Sequence, residues 1–188
     1  SLQPLKQLFD EGKFTILIMG GSQGSRRLNT ICFEALSTNQ KKNDLQVIHI
    51  CGTGDFTGLL ASYAASALTY KLFDFFLQMQ YVYSVADLVI CRAGATTIAE
   101  LQKFSIPAIL VPYPFAYAHQ LANAQVLEKV GAAEVVLDAD LNVDKLKERL
   151  QVYFCNNEKL KAMQKAYQEL TIISNTAEKL ASEVLSLR

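Results

Sequence analysis

Three short stretches hold the residues whose types and spacing could do chemistry. "GGSQGS" (20–25) follows the apolar run "ILIM", "CRAGATTIAE" (91–100) follows a second apolar run, and "YPFAYAHQLANAQ" (113–125) follows a third. A glycine pair at the end of a strand reads in two ways. It is a tight turn that needs positive φ, or a bare backbone whose N–H groups hold a phosphate at a helix N-terminus, where the macrodipole favours an anion. In the second stretch Gly94, Ala95, Thr96 and Thr97 give another small-residue turn, and Glu100 supplies a carboxylate. Thr97 and Glu100 have the spacing of a capping box. Alternatively, Glu100 accepts hydrogen bonds from both hydroxyls of a ribose, as an ionised carboxylate can. In the third stretch His119, Gln120 and Asn123 open a helix; the Gln120 and Asn123 amides suit sugar hydroxyls, or the three simply form a polar first turn.

Several chemistries are disfavoured. No G-x-x-x-x-G-K-[ST] occurs, and the G-x-G-x-x-G spacing is missing. The strand that should carry a dinucleotide's ribose acid ends "VIHICGTG" without a carboxylate. No serine or cysteine stands in a nucleophile's context, and no carboxylate lies at a fixed distance to orient His119. Cys32, Cys51, Cys91 and Cys155 are far apart, so neither a zinc site nor a disulfide framework is expected. No site metal and no cofactor are expected. Eighteen basic and eighteen acidic residues cancel, which disfavours nucleic acid. The longest apolar run is too short to span a bilayer, and the chain reads as cytosolic.

These turns need elements to position them. Strand-like runs fall at 14–19, 45–51, 69–73, 88–91, 108–111 and 134–137. Helical spacing appears in Leu28, Ile31, Cys32 and Ala35, then at about 56–66, 77–85, 96–104 and 118–130. Gly131 is placed to cap the last of these. From Asn142 onward the pattern is wholly helical, ending in a face of Leu180, Val184 and Leu187 that opens at Asn175. The aromatic run "FDFFLQMQYVY" (73–83) reads mostly as core, with strand 3 entering a short helix. Strands alternating with helices over 188 residues indicate an α/β, doubly wound, mostly parallel six-stranded Rossmann-like sheet with a helical C-terminal tail. The simplest strand order, 3-2-1-4-5-6, brings the first two glycine turns to one crevice, where they could grip a diphosphate from both sides.

"GGSQGSRRLN" (20–29), "ADLVICRAGATTIAEL" (86–101) and "PAILVPYPFAYAHQLANA" (107–124) resemble, in order and spacing, the MurG family. Those enzymes move GlcNAc from UDP-GlcNAc to lipid-linked muramoyl-pentapeptide in peptidoglycan synthesis. The resemblance covers nearly the whole of 1–188 and corresponds to the C-terminal, donor-binding half of a two-domain GT-B fold. It implies an inverting hexosyltransferase whose acceptor site and catalytic base lie in an N-terminal half, with no catalytic residue here. It also implies a cytoplasmic enzyme, peripheral on the inner membrane in full length. By resemblance, Gly21, Ser22, Gln23 and Gly24 approach the diphosphate; Ala95, Thr96 and Thr97, with Ile98 and Ala99 following, offer backbone groups. Glu100 holds the ribose and Gln120 the GlcNAc. Phe76 falls where uracil is read through the main chain, and Met79 is shared. Arg92, Gly94, His119 and Asn123 shape the site, with Arg92 a possible countercharge for the leaving diphosphate. Ser105 stands where the family has glycine, at an expected helix C-cap, which implies a cost in stability. Ser25 and Ala93 replace a usual Ala and Ser. Two other readings fit the same residues: a separate catalytic subunit of a two-subunit lipid-linked GlcNAc transferase, and a nucleotide-sugar-binding module without transfer.

Overall fold

The structure is a computed structural model that describes residues 12–21, 24–115 and 119–173. The helical face from Asn175 to Leu187, and Ser22 and Gln23 of the first turn, lie outside the described residues.

Six parallel strands form one sheet: β1 (Phe14–Met19), β2 (Leu45–Ile50), β3 (Thr69–Phe73), β4 (Leu88–Cys91), β5 (Ala108–Leu110) and β6 (Ala133–Val135). Their order is β3-β2-β1-β4-β5-β6, with every adjacent pair parallel. This is the order expected from the pattern. β1, β2 and β5 are near-continuous apolar runs because both faces of the sheet are covered. Alternate residues divide between two cores. Ile16, Ile18, Val47, Leu88, Ile90 and Ile109 enter one, while Leu17, Met19, Ile48, Val89, Cys91 and Leu110 enter the other.

β2 and β5 stop one residue before their apolar runs do, and β6 starts one residue earlier and ends two residues earlier than expected. The pairing nevertheless continues: Cys51 N–H donates to Phe73 O, Val111 N–H to Cys91 O and Val136 N–H to Leu110 O. The cross-strand bonds therefore run past the strand ends, and beside β3 they reach Gly52 N–H on Asp74 O, one residue beyond the expected end at 51.

The first core is covered by α1 (Arg26–Ser37), α2 (Phe56–Ala64) and α6 (Val143–Cys155). The second is covered by α3 (Met79–Tyr83), α4 (Ala95–Phe104) and α5 (His119–Lys129). α6 starts where the sequence indicates: Asn142 Oδ1 accepts from Lys145 N–H at 2.9 Å, and Leu146 and Leu150 are buried. α7 (Asn157–Ile173) serves both cores. Leu160 and Met163 join the first, and Tyr167 joins the second, donating to Ile106 O at 2.7 Å.

Two helices end alike. Gly131 takes φ 80°, with Gly131 N–H on Glu128 O and Ala132 N–H on Leu127 O. Ser105 takes φ 53°, with Ser105 N–H on Gln102 O and Ile106 N–H on Leu101 O. Both are Schellman caps with the left-handed residue just past the helix. Ser105 is the only non-glycine with positive φ among the described residues. The aromatic run departs from expectation in part: between β3 and α3, Phe75 and Leu77 are exposed and do not enter the core.

Candidate functional site

The β1–α1 turn answers why its glycines are glycines. A Cβ on Gly20 would lie 2.5 Å from Ser25 N, and one on Gly24, whose φ is 72°, would collide with the Cys51 carbonyl oxygen. Gly24 N–H donates to Gly21 O at 2.9 Å, closing the turn. The turn is therefore tight and pressed against the end of β2. That packing aims the start of α1 across the carboxyl ends of β1 and β4, the switch point of the winding.

The start of α4 meets it there. The first helical bond of α4 runs from Ile98 N–H to Gly94 O, so the N–H groups of Ala95, Thr96 and Thr97 are not consumed by the helix. In α1 the corresponding bond is Asn29 N–H to Ser25 O. Neither helix has a side-chain N-cap bond. Two sets of exposed helix-end donors thus border one crevice, an arrangement that attracts an anion from two directions.

The crevice has two joined compartments. One, about 820 Å³, lies over the helix starts and is walled by Gly20, Gly21, Gly24, Gly94, Thr96, Gln120 and Asp138, among others. The second, about 340 Å³, is more apolar, with Met19, Ile50, Phe76, Met79 and Tyr83 in its wall and Glu100 at its side. Gly21, Arg92, Thr96 and Thr97 belong to both. An apolar slot opening onto a polar cradle of backbone donors fits a molecule with a planar apolar end and a phosphate middle.

Glu100 is not part of a capping box. The helix begins at Ala95 with Gly94 as its N-cap, so Thr97 already lies within the first turn and Glu100 in the second. The carboxylate instead accepts the Tyr83 O–H at 2.8 Å (Oε2) beside the apolar compartment.

Residues 15–184 match the model of the glycosyltransferase family 28 C-terminal domain. The chain belongs to that family. Among curated proteins, the UDP-N-acetylglucosamine–N-acetylmuramyl-(pentapeptide) pyrophosphoryl-undecaprenol N-acetylglucosamine transferase of Thermodesulfovibrio yellowstonii is 42% identical over 165 residues. That match covers 86% of this chain and 45% of the relative. The like-named protein of a Thermoanaerobacter strain is 36% identical over 97% of this chain and 51% of its own length. This family 28 domain therefore spans about half the length of the curated relatives it matches. Among solved structures, Acinetobacter baumannii MurG superposes with a TM-score of 0.74 at 35% identity, over 83% of this chain and 47% of that one. The catalytic domain of Helicobacter pylori cholesterol-α-glucosyltransferase, at 13% identity and TM-score 0.62, shares the fold.

The family 28 domain gathers most of the residues singled out in the sequence. Gly21, Gly24, Arg92, Gly94, Ala95, Thr96, Thr97, Gln120, Phe76, Met79 and Glu100 all line the crevice. Four stand outside its walls. Ile98 is buried in the second core, on the inner side of α4, and Ala99 and His119 are exposed. Asn123 works behind the wall, donating to Ala93 O at 3.2 Å. Gln120 Oε1 accepts from Ala93 N–H at 3.2 Å and Tyr113 N–H at 2.9 Å, leaving its NH₂ group to donate into the larger compartment.

Arg92, expected as a countercharge for the diphosphate, lines both compartments and is held there by protein partners. Its Nη1 is 2.6 Å from Asp138 Oδ1 and 3.1 Å from Val111 O, and its Nη2 donates to Ser25 Oγ at 2.7 Å. Nη1 and Nη2 tie the ends of β4, β5 and β6 to the start of α1, while the buried Nε has no hydrogen-bond partner among the described residues. Arg27 completes the tie, donating to Leu141 O at 2.8 Å and lying 3.4 Å from Asp138.

Asp138, Tyr83 and His49 went unremarked in the sequence. His49 is fully buried in β2, with Nδ1 3.0 Å from Tyr63 Oη and Nε2 3.0 Å from Asn29 Oδ1. The Asn29 amide nitrogen donates to Cys51 O and Asp55 Oδ2, so its oxygen faces the imidazole. The ring is therefore the neutral Nε2–H tautomer, accepting from the Tyr63 hydroxyl. Burial pushes its pKa down to about 3. The network pins α1 to β2 beneath the glycine turn. Among the described residues no three metal-ligating side chains cluster, and no helix is long and apolar enough to cross a membrane.

Proposed function

We propose that this domain binds UDP-GlcNAc as the donor half of a glycosyltransferase that builds the lipid-linked peptidoglycan precursor. The observation that carries the reading is the joined crevice: an apolar slot, with the carboxylates of Glu100 and Asp74 in its wall, opening onto two helix N-termini. Uracil occupies the slot near Phe76 and Met79, and Glu100 accepts the ribose hydroxyls. The diphosphate lies across the N–H groups of Ala95, Thr96 and Thr97 and the β1–α1 turn, where Ser22 and Gln23 also belong. GlcNAc reaches towards the Gln120 amide.

The chemistry follows from charge. Transfer breaks the bond between the sugar's anomeric carbon and the diphosphate oxygen, and negative charge grows on UDP as it leaves. Backbone donors already aimed at that position stabilise the charge without reorganising. Acceptor recognition and the base that deprotonates the attacking hydroxyl belong to the other half of the enzyme. That half would also bring the domain to a lipid-linked acceptor at the cytoplasmic membrane face. The names of the curated relatives, which specify this transfer, support the reading.

Competition binding tests it. UDP and UDP-GlcNAc should displace a fluorescent uridine nucleotide, whereas NAD and ATP should not. Because the helix termini supply the countercharge, EDTA should leave UDP affinity unchanged. Equal displacement by ATP, or loss of UDP binding in EDTA, would contradict the proposal.

A further inference from the structure

We propose that Tyr83 is a positioning residue of the donor site: its O–H fixes one Glu100 oxygen, so that the other is presented to the ribose and the domain selects ribo- over deoxyribonucleotides. The inference rests on the reading of Glu100 as the ribose acceptor and adds the group that makes it selective.

A glutamate beside an open cavity has three rotatable bonds, and ordering them on binding costs affinity. Here the ordering is done beforehand. Glu100 Oε2 accepts from Tyr83 at 2.8 Å, across two different helices. Among the described residues Tyr83 is the only hydrogen-bond partner of that carboxylate.

Tyr83 is itself immobile. It is 2% exposed, its ring stacks on Phe104 at 5.3 Å and 26°, and its hydroxyl lies 3.7 Å from Met19 Sδ. Burial, and then the hydrogen bond to Glu100, hold its phenol far above the usual tyrosine range, so it remains a donor. Tyr83 ends the short helix that follows the exposed Phe75–Leu77 loop, so the bond also links that rim of the slot to α4.

The test is calorimetric titration of UDP and 2′-deoxy-UDP into the full chain as wild type, Tyr83→Phe, Glu100→Gln and the double variant. Tyr83→Phe keeps the ring and should narrow the wild-type preference for UDP by about threefold or more, since a hydrogen bond to a charged group is lost. It should narrow it no further in the Glu100→Gln background, because the two residues act as one unit. Glu100→Asp, which keeps the charge but shortens the reach, should lose the preference as well. A Tyr83→Phe protein with the full preference, or with equal losses for both nucleotides, would overturn the inference. So would a Glu100→Asp protein that still discriminates. A wild type that binds both nucleotides equally would instead defeat the ribose reading itself, and would do so before any variant is measured.

Discussion

The Arg92 guanidinium lies 2.6 Å from Asp138 Oδ1, with side chains only 8% and 16% exposed. The pair joins the turn after β4 to the turn after β6 at the wall of the larger compartment. An ion pair so placed adds little net stability over apolar packing, but breaking it strands a buried charge. Arg92 also contacts Ser25, Val111 and Tyr113, so the geometry of three turns depends on it.

Asp138→Ala should therefore destabilise the domain by about 3 kcal/mol. Asp138→Asn, which keeps an accepting oxygen, should cost less. Urea denaturation of both variants checks the difference; equal and small losses would mean that Nη1 and Nη2 are satisfied by their carbonyl and hydroxyl partners alone.

Ser105 and Gly131 occupy the same position in two equivalent caps, at φ 53° and 80°. A left-handed conformation costs an L-residue roughly 1–2 kcal/mol, while glycine loses more chain entropy on folding. Ser105→Gly should thus stabilise the domain by about 0.5–1 kcal/mol net. Gly131→Ser, where a Cβ meets no atom within 4 Å, should destabilise it by about the same amount through backbone strain alone. Thermal melts of the two variants should move in opposite directions.

Stability should fall on mild acidification because of His49. Its pKa drops from the ordinary 6.5 to about 3 in the fold. Below pH 6.5 the unfolded chain takes up a proton that the folded chain refuses, so this contribution is complete above 6.5 and is lost as pH falls towards 3. The slope should approach about 1.4 kcal/mol per pH unit. Urea midpoints between pH 6.5 and 5 read the effect net of Asp87, whose carboxyl pKa is raised by burial and which acts in the opposite sense as pH falls; a flat profile there would contradict the buried neutral ring.

Much of this was legible in the sequence. The sheet order followed from apolar runs alternating with helical spacing, and the Gly131 cap from one glycine at the end of a periodic segment. The glycine turns and Glu100 were legible as a site because the winding order forces them together. What escaped depends on distance. Arg92 meets Asp138 46 positions away, and Tyr83 meets Glu100 17 away, and no local spacing announces either pair. His49 looked like any strand residue because its partners come from two other helices. The capping box failed for a local reason: α4 starts at Ala95, before the threonine whose spacing it borrowed.

We propose that the Glu100 carboxylate holds the ribose of a uridine nucleotide. Titrating UDP into wild type and Glu100→Gln, with melting temperatures recorded alongside, tests it most directly. Replacing the charge should weaken charge-assisted bonds worth about 1.5–3 kcal/mol each, of which glutamine retains part. UDP affinity should fall roughly tenfold or more, equivalent to about 1.4 kcal/mol per decade, with little change in melting temperature. Unchanged UDP affinity in Glu100→Gln would mean that Glu100 does not hold the ribose.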